Sequence, residues 1–472
     1  MSLNRRNLLG VAAAAAVTNG LISSRFAAGL AGIGALSAHS AASAASSDYK
    51  ALVCLFMTGG NDSHNWLVPA DAGSYAEYRR SRGDLALPLQ NMSALTQAPR
   101  QATGRQFAMP AELSPLRELY ESGQLALVAN VGPLERPTTR ADFEAGRRLP
   151  PRLFSHNDQS SNWQSMGPEG ARSGWGGRLG DALVSANPHP IFTTVSASGN
   201  AVFLTGGSVT AYQAGAAGGP VGMGGLRENS TLGSSQVSEA LRQTLFAAGG
   251  TPFQADLARV SRRSVDAYAL MASTLSTLQI AALPDQARSL PNGGALQLSN
   301  LPLAQQLRAV AQMIAAGRQL GMRRQVFMVS MGGFDTHGFQ MRDQPVLMAA
   351  VAQSTAWFLS AVRDQGLADA VTLFSASDFG RTLTSNGDGS DHGWGSHQFV
   401  AGGAVRGRDI YGRFPVTALG SADDIGSGRL LPSTSVTEYA ATLATWMGVA
   451  PSDLAAVLPG IGNFSSSNLG FV

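Results

Sequence analysis

Four short segments of this sequence combine carboxylates and imidazoles with glycine. They are Gly59-Gly60-Asn61-Asp62-Ser63-His64, Gly332-Gly333-Phe334-Asp335-Thr336-His337, Ser377-Asp378-Phe379-Gly380-Arg381 and Asp391-His392-Gly393-Trp394-Gly395-Ser396-His397. Five of the seven histidines (His64, His156, His337, His392 and His397) lie in polar segments of this kind, which a random scatter would not favour; His39 and His189 do not. Asp335 and His337 are two residues apart, so in extended backbone both side chains project to one face. Carboxylate plus imidazole suits Zn²⁺, Mn²⁺ or a similar ion. Two such ions about 4 Å apart could hold an ester oxygen and activate a nucleophile. The same residues also have a plain structural reading. Asp and Asn after Gly-Gly often cap a helix or close a turn, and Asp378 could simply pair with Arg381.

The elements that must position these residues are legible as apolar runs. Ala51–Thr58, Leu125–Val131, Ile191–Ser196, Val326–Met331, Val371–Ala376 and the short Phe399–Ala401 read as strands without alternation, which suits a sheet covered on both faces. Leu303, Leu307, Val310, Ile314 and Leu320 sit near helical spacing before the fourth run. Leu347, Val351, Phe358 and Val362 do so before the fifth. Strand-helix-strand alternation predicts an α/β fold with a mostly parallel central sheet between helix layers. In such sheets ligands gather outside the carboxyl ends of the strands, which is where the acidic and imidazole segments fall. Residues 206–225, rich in Gly and Ala, and 283–301, broken by prolines, read as irregular insertions.

The chain opens on Arg5-Arg6 followed by Leu8-Leu9, an Ala/Val run, and a small-residue region with Ala42-Ser43-Ala44. This pattern predicts a twin-arginine signal peptide over 1–45, one domain over 46–472, and a periplasmic or extracellular protein. The leader's apolar run is broken by Asn19, Gly20 and Arg25, so no stable membrane span is expected once it is cleaved. No second apolar run of spanning length is evident downstream. The formal net charge is +3, and Arg5, Arg6 and Arg25 account for it, since residues 1–45 contain no Asp or Glu. The remainder balances, and no nucleic-acid partner is expected. The one cysteine, Cys54, lies in an apolar run and excludes an internal disulfide.

With these motifs in view, the sequence resembles the twin-arginine-exported family called domain of unknown function 1501. The residues that carry the likeness are Gly59-Gly60-Asn61-Asp62, Ser155-His156 with Gln159 and Trp163, Gly174-Trp175-Gly176-Gly177-Arg178, Gly333-Phe334-Asp335-Thr336-His337, Ser377-Asp378-Phe379-Gly380-Arg381, Asp391-His392-Gly393-Trp394, Gly402-Gly403-Ala404-Val405-Arg406-Gly407 and Tyr411-Gly412. That family is similar to the alkaline phosphatase and sulfatase superfamily, whose sandwich-like fold carries a metal site at its strand ends. The resemblance implies that Asp62, Asp335, His337 and Asp378 hold a divalent metal, Zn²⁺, Mn²⁺ or Ca²⁺. Phe379 stands where the superfamily has a histidine, and His392 and His397 could supply the missing imidazoles. It further implies a nucleophile at a helix N-terminus, with Ser155 the first choice and Ser160 the second, and Arg381 on the anion. Ser155 read on its own is equally an N-cap. The functional expectation is an exported metal-dependent hydrolase of phosphate or sulfate esters, acting on a small ester or an envelope substrate. The alternative is a binding or scaffold protein on a degenerate hydrolase fold. A serine esterase is a third reading, drawn from Gly-Asn-Asp near Ser63, but no Gly-Asp-Ser block lies upstream.

Overall fold

The computed structural model describes residues 48–472, apart from residues 97, 216–218, 220–221, 223–225, 227–229, 248–249 and 292. The leader expected over 1–45 lies outside the described residues, and so does part of the expected 206–225 insertion.

Eleven strands concern the site: β1 (Lys50–Met57), β2 (Leu125–Gly132), β3 (Thr194–Ser196), β4 (Tyr212–Gln213), β5 (Arg324–Met331), β6 (Val371–Ser377), β7 (Arg381–Ser385), β8 (Ser390–His392), β9 (Ser396–Gly402), β10 (Ile410–Tyr411) and β11 (Thr434–Ser435). Nine of them form one sheet in the order β10-β2-β9-β6-β1-β5-β3-β4, with β11 also on β2; β7 and β8 make a separate hairpin. Within the sheet β9 runs antiparallel to β6 and β2, and the other pairings are parallel. The expected mostly parallel α/β sheet is therefore present, with one reversed strand. The reason is the connection: β6 reaches β9 through the short β7–β8 hairpin, and a parallel neighbour would need a long crossover.

The helices used below are α1 (Ala72–Arg82), α2 (His156–Ser165), α3 (Trp175–Leu183), α4 (Pro252–Ser276), α5 (Pro302–Gln319), α6 (Gln340–Asp364) and α7 (Val436–Met447). Successive residues of β1 feed two different cores, as a pleated strand requires. Val53 and Leu55 pack with Leu307 and Val310 of α5 and Val351 and Phe358 of α6. Leu52, Cys54 and Phe56 pack with Trp163 of α2, Trp175 of α3 and Tyr439 of α7. Each fully buried Leu, Val or Phe contributes about 1.5–3 kcal/mol relative to exposure, so β1 anchors both faces. Burial also pushes the Cys54 thiol far up, which keeps it protonated and inert.

Some expectations shift. The run expected as a strand from Ile191 begins with a 3-10 turn, Pro190–Phe192, and only Thr194–Ser196 pairs; Pro190 has no N–H for a ladder. The 283–301 loop contains a small hairpin, Arg288–Ser289 with Ala295–Leu296. By length and composition α6 could cross a bilayer, contrary to the absence of such a run, yet its Met348, Val351, Phe358 and Val362 lie in the core.

Candidate metal centre

Strands β1, β5 and β6 end level, because Met57 pairs with both Met331 and Ser377. Their exit loops therefore leave the sheet side by side. Gly59 and Gly60 permit the close approach. Their φ angles are 116° and 83°. A Cβ on Gly59 would lie 2.3 Å from the Asp335 nitrogen, and one on Gly60 2.3 Å from the Phe379 ring. Any side chain would force these loops apart and strain the backbone.

Onto this platform fold Asp335 and His337 from the loop after β5, His392 from the β7–β8 hairpin, and His156 from the first turn of α2. Each imidazole is held through Nδ1. That atom lies 2.7 Å from Asp378 Oδ2 in His156, 3.1 Å from Asp391 Oδ1 in His337, and 2.7 Å from the Phe154 carbonyl in His392. All three partners can accept, so a ring with its proton on Nδ1 offers a lone pair at Nε2 to an ion.

The three Nε2 atoms meet at Asp335. Those of His337 and His392 are 2.8 Å apart and lie 3.2 and 3.4 Å from Asp335 Oδ1. His156 Nε2 is 3.5 Å from Asp335 Oδ2, and it is buried with no hydrogen-bond partner among the described residues. Ligand atoms of His156, Asp335 and His392 all fall within 4.8 Å of one another. Lone pairs gathered around a carboxylate repel unless positive charge lies between them. Ligands on a tetrahedral ion with arms of about 2.0–2.1 Å are spaced by about 3.3 Å. The separations from Asp335 are near that spacing, and the 2.8 Å between the His337 and His392 nitrogens is a hydrogen-bond distance. The donor set of His156, Asp335 and His392 fits a divalent ion. The centre is open on one side: the Asp335 and His337 side chains are 48% and 43% exposed.

Electrostatics follow the geometry. Burial acts to raise the Asp335 carboxyl, but the Arg381 hydrogen bond and charge, with His156 and His337, hold it below the usual range. His156 is raised, chiefly by its hydrogen bond to Asp378, against the opposing effect of burial. His392 is lowered, first by burial and then by Arg381 and the neighbouring rings, although the Phe154 carbonyl opposes this. Phe379 packs against His156 and His392 with centroids 4.8 and 4.5 Å apart, so an apolar ring walls one side of the two imidazoles.

The structure thus brings Asp335, His337 and His392 together and adds His156. It puts the other expected site residues in different roles. Asp378, expected as a ligand, stands behind His156, 4% exposed, where it accepts from the Gly59 N–H at 3.0 Å and can orient the ring. Arg381, expected on the anion, is placed as a clamp between loops. Its side chain is fully buried. Nε reaches the Gly60 carbonyl at 2.9 Å, Nη1 the Ser390 carbonyl at 2.9 Å, and Nη2 the Gly59 carbonyl at 2.7 Å as well as Asp335. No part of the fork is left facing solvent. Asp62, expected as a metal ligand, lies apart from this cluster in a buried ion pair with Arg82; Gln340 and the His64 N–H also donate to its carboxylate. His397, expected as a ligand, is placed in the core. Its Nδ1 accepts from the Asn130 N–H at 3.1 Å, its ring stacks on Phe414, and burial holds its pKa at about 3.

Ser155 is the N-cap of α2 but makes no capping bond with its side chain. Its Oγ instead donates to Asp158 Oδ2 at 2.9 Å. Ser160 lies mid-helix and half-buried. Sequence reasoning missed His156 and Asp391 as site residues, although both stand in the polar segments it marked. The expectation there falls on Ser155 as nucleophile, and the adjacent His156 carries the ring that meets Asp335.

The model of the family described as Protein of unknown function (DUF1501) matches residues 49–457. No curated protein matches the chain. Among solved structures, Ps i-CgsB in complex with k-i-k-neocarrahexaose aligns at 10% identity and a TM-score of 0.35, over 89% of this chain and 77% of its own. BT33494S-sulf, from the metabolism of multiple glycosaminoglycans by Bacteroides thetaiotaomicron, aligns at 9% identity and a TM-score of 0.34, over 86% and 74%. Likenesses this distant carry no weight for the site, which rests on its own side chains.

Proposed function

This chain belongs to the DUF1501 family, and from that premise and the geometry of its centre we propose that it is an exported, metal-dependent hydrolase of phosphate or sulfate esters on an alkaline-phosphatase- and sulfatase-like sandwich. The observation that carries the reading is the convergence of three imidazole Nε2 atoms on Asp335, each ring pinned at Nδ1.

His156, Asp335, His337 and His392 would hold the ion. Three imidazoles and one carboxylate favour Zn²⁺ or Mn²⁺ over Ca²⁺, which takes oxygen ligands. A divalent ion there supplies Lewis-acid stabilisation of charge on the ester oxygens. The chain's own residues do the rest. Asp378, Asp391 and the Phe154 carbonyl fix the tautomers, and Arg381 fixes Asp335. The α2 N-terminus offers backbone N–H groups to an anion. Ser155 Oγ attacks phosphorus or sulfur, and its proton passes to Asp158 Oδ2, which already accepts it in a hydrogen bond. The bond to the ester oxygen breaks and the alcohol leaves with a proton. Water then cleaves the seryl ester to release phosphate or sulfate and restore Ser155. Arg5-Arg6 directs export, and replacing both by Lys should leave precursor in the cytoplasm.

The test is metal analysis of protein purified without chelator, followed by assay of aryl phosphates and aryl sulfates. One ion per chain, lost with turnover in His392→Ala, is expected. Ser155→Ala should keep the ion and lose turnover. Turnover unaffected by Ser155→Ala would move the attack to Ser160 or to water. The second reading, a metal-binding scaffold without catalysis, is favoured by Phe379 in place of an imidazole. A metal-loaded folded protein that turns over no ester would establish it.

A further inference from the structure

At the other end of the sheet a groove of about 720 Å³ opens between α4 and the turn that precedes β3. Because β3 runs parallel to β5, this turn lies at the amino ends of the strands, away from the metal centre. Pro190 and Ile191 form one wall and Ala255 and Leu270 of α4 the other. The floor is recessed: Phe192, Ala258 and Ala267 lining it are buried. Such a volume suits a small ligand with an apolar body.

The rim is cationic. Arg259 is neutralised by Asp256 one turn back. Arg262 stands over the Phe246 ring, 5.2 Å from its centroid. Neither Arg262 nor Arg263 has an ion-pair partner among the described residues, and Asp266 is the one carboxylate lining the groove. Positive charge is therefore in surplus beside an apolar trough. We propose that this groove binds a single-chain anionic amphiphile, its hydrocarbon between Pro190, Ile191, Ala255 and Leu270 and its head group on Arg262 and Arg263. A planar guanidinium fork matches a carboxylate, phosphate or sulfate. A flat membrane would instead meet the exposed Phe253 and Leu257, which lie on the opposite side of α4 from the groove residues.

Isothermal titration of the full chain with dodecanoate, below its micelle concentration, tests this. One dodecanoate per chain is expected, with dodecyltrimethylammonium binding about tenfold more weakly or not at all. Arg262→Glu with Arg263→Glu should weaken dodecanoate by about tenfold or more, the loss of charge-assisted hydrogen bonds. Ala255→Trp, at an exposed position, should block the groove without touching the core, and covers the case in which the charge reversal fails to fold. Thermal melts report folding of both. Equal binding of the two amphiphiles, or dodecanoate binding unchanged in a folded variant of each kind, overturns the proposal. So does capture by phosphatidylglycerol vesicles without 1:1 dodecanoate binding, which would make the face a membrane surface. The groove is independent of the metal reading, and His392→Ala should leave dodecanoate binding intact.

Discussion

Asp62 and Asp335 hold equivalent places in the chain. Each follows a buried strand and a Gly-Gly pair, and each precedes a histidine by two residues, in Asp62-Ser63-His64 and Asp335-Thr336-His337. Each also takes an arginine, Arg82 or Arg381. Their fates diverge because of what else reaches them. Asp62 is 0% exposed and Asp335 48%. Gln340 and the His64 N–H complete the first carboxylate, whereas imidazole lone pairs face the second. The histidines differ in the same sense. His64 spends Nε2 on the Arg381 carbonyl at 2.9 Å, while His156, His337 and His392 spend Nδ1 and keep Nε2 for the centre. An Asp-x-His spacing is thus compatible with a core ion pair or with a metal ligand. What decides is which ring nitrogen the backbone and carboxylates claim.

The largest effect is expected at Arg82. Arg82→Met removes the partner of a buried carboxylate and should cost about 3–5 kcal/mol of unfolding free energy, because an uncompensated charge remains. The double variant Asp62→Leu/Arg82→Met should recover much of that loss. Denaturant titration measures both. Asp62→Asn should retain its ion if folded; loss of the ion there without loss of stability would return Asp62 to the ligand set.

A second difference is in acid. His397 is held at about 3 against 6.5, and His64 is lowered too, first by burial and then by the Arg82 charge, with Asp62 opposing. In the unfolded chain both rings gain a proton as pH falls through 6.5, while the folded His397 stays neutral until near 3. Their stability is therefore full above the unfolded value and drains away as pH falls towards the folded one. A loss on the order of a few kcal/mol between those limits is expected in metal-free protein. His397→Gln should flatten the slope, and denaturation midpoints across that pH range would show it. An unchanged slope would mean that the ring is not buried neutral.

Much of this architecture was legible in the sequence for a simple reason. Buried strands such as Ala51–Thr58 and Val371–Ala376 are continuous apolar runs, and the chain places Gly-flanked polar residues at their ends. The direction of β9 was not legible, because it depends on a hairpin replacing a crossover. Nor was the division of the acids and imidazoles into two clusters. Arg82 and Gln340, which satisfy Asp62, lie on helices 20 and 278 residues away, and neither carries a motif. His397 reads like His392 in one dimension, yet β9 carries it into the core against Phe414 while β8 turns His392 outward.

Within the open cluster the orienting groups should matter less than the ligands, yet measurably. Asp378→Asn keeps an acceptor for His156 Nδ1 but removes the charge that raises ligand basicity. A loss of about 10–100-fold in metal affinity is expected, read by competition with a chromogenic chelator. No change would separate Asp378 from the centre.

The smallest expected effect is at Asp391, and it tests the same idea from the exposed side. Asp391 and Asp378 play the same part, each accepting from a histidine Nδ1. The Asp378 contact is 2.7 Å with a carboxylate 4% exposed. The Asp391 contact is 3.1 Å with one 51% exposed. Water can replace an exposed acceptor, and solvent screens its charge. Asn386, which donates to the same Asp391 oxygen at 3.1 Å, would still border the ring. Asp391→Asn should therefore weaken metal binding by only about threefold, within the range of exposed polar contacts. An effect at Asp391 equal to or larger than that at Asp378 would mean that burial is not what makes an orienting carboxylate effective here. It would point instead to Asp391 as a ligand in its own right, rotated towards the ion when the centre fills.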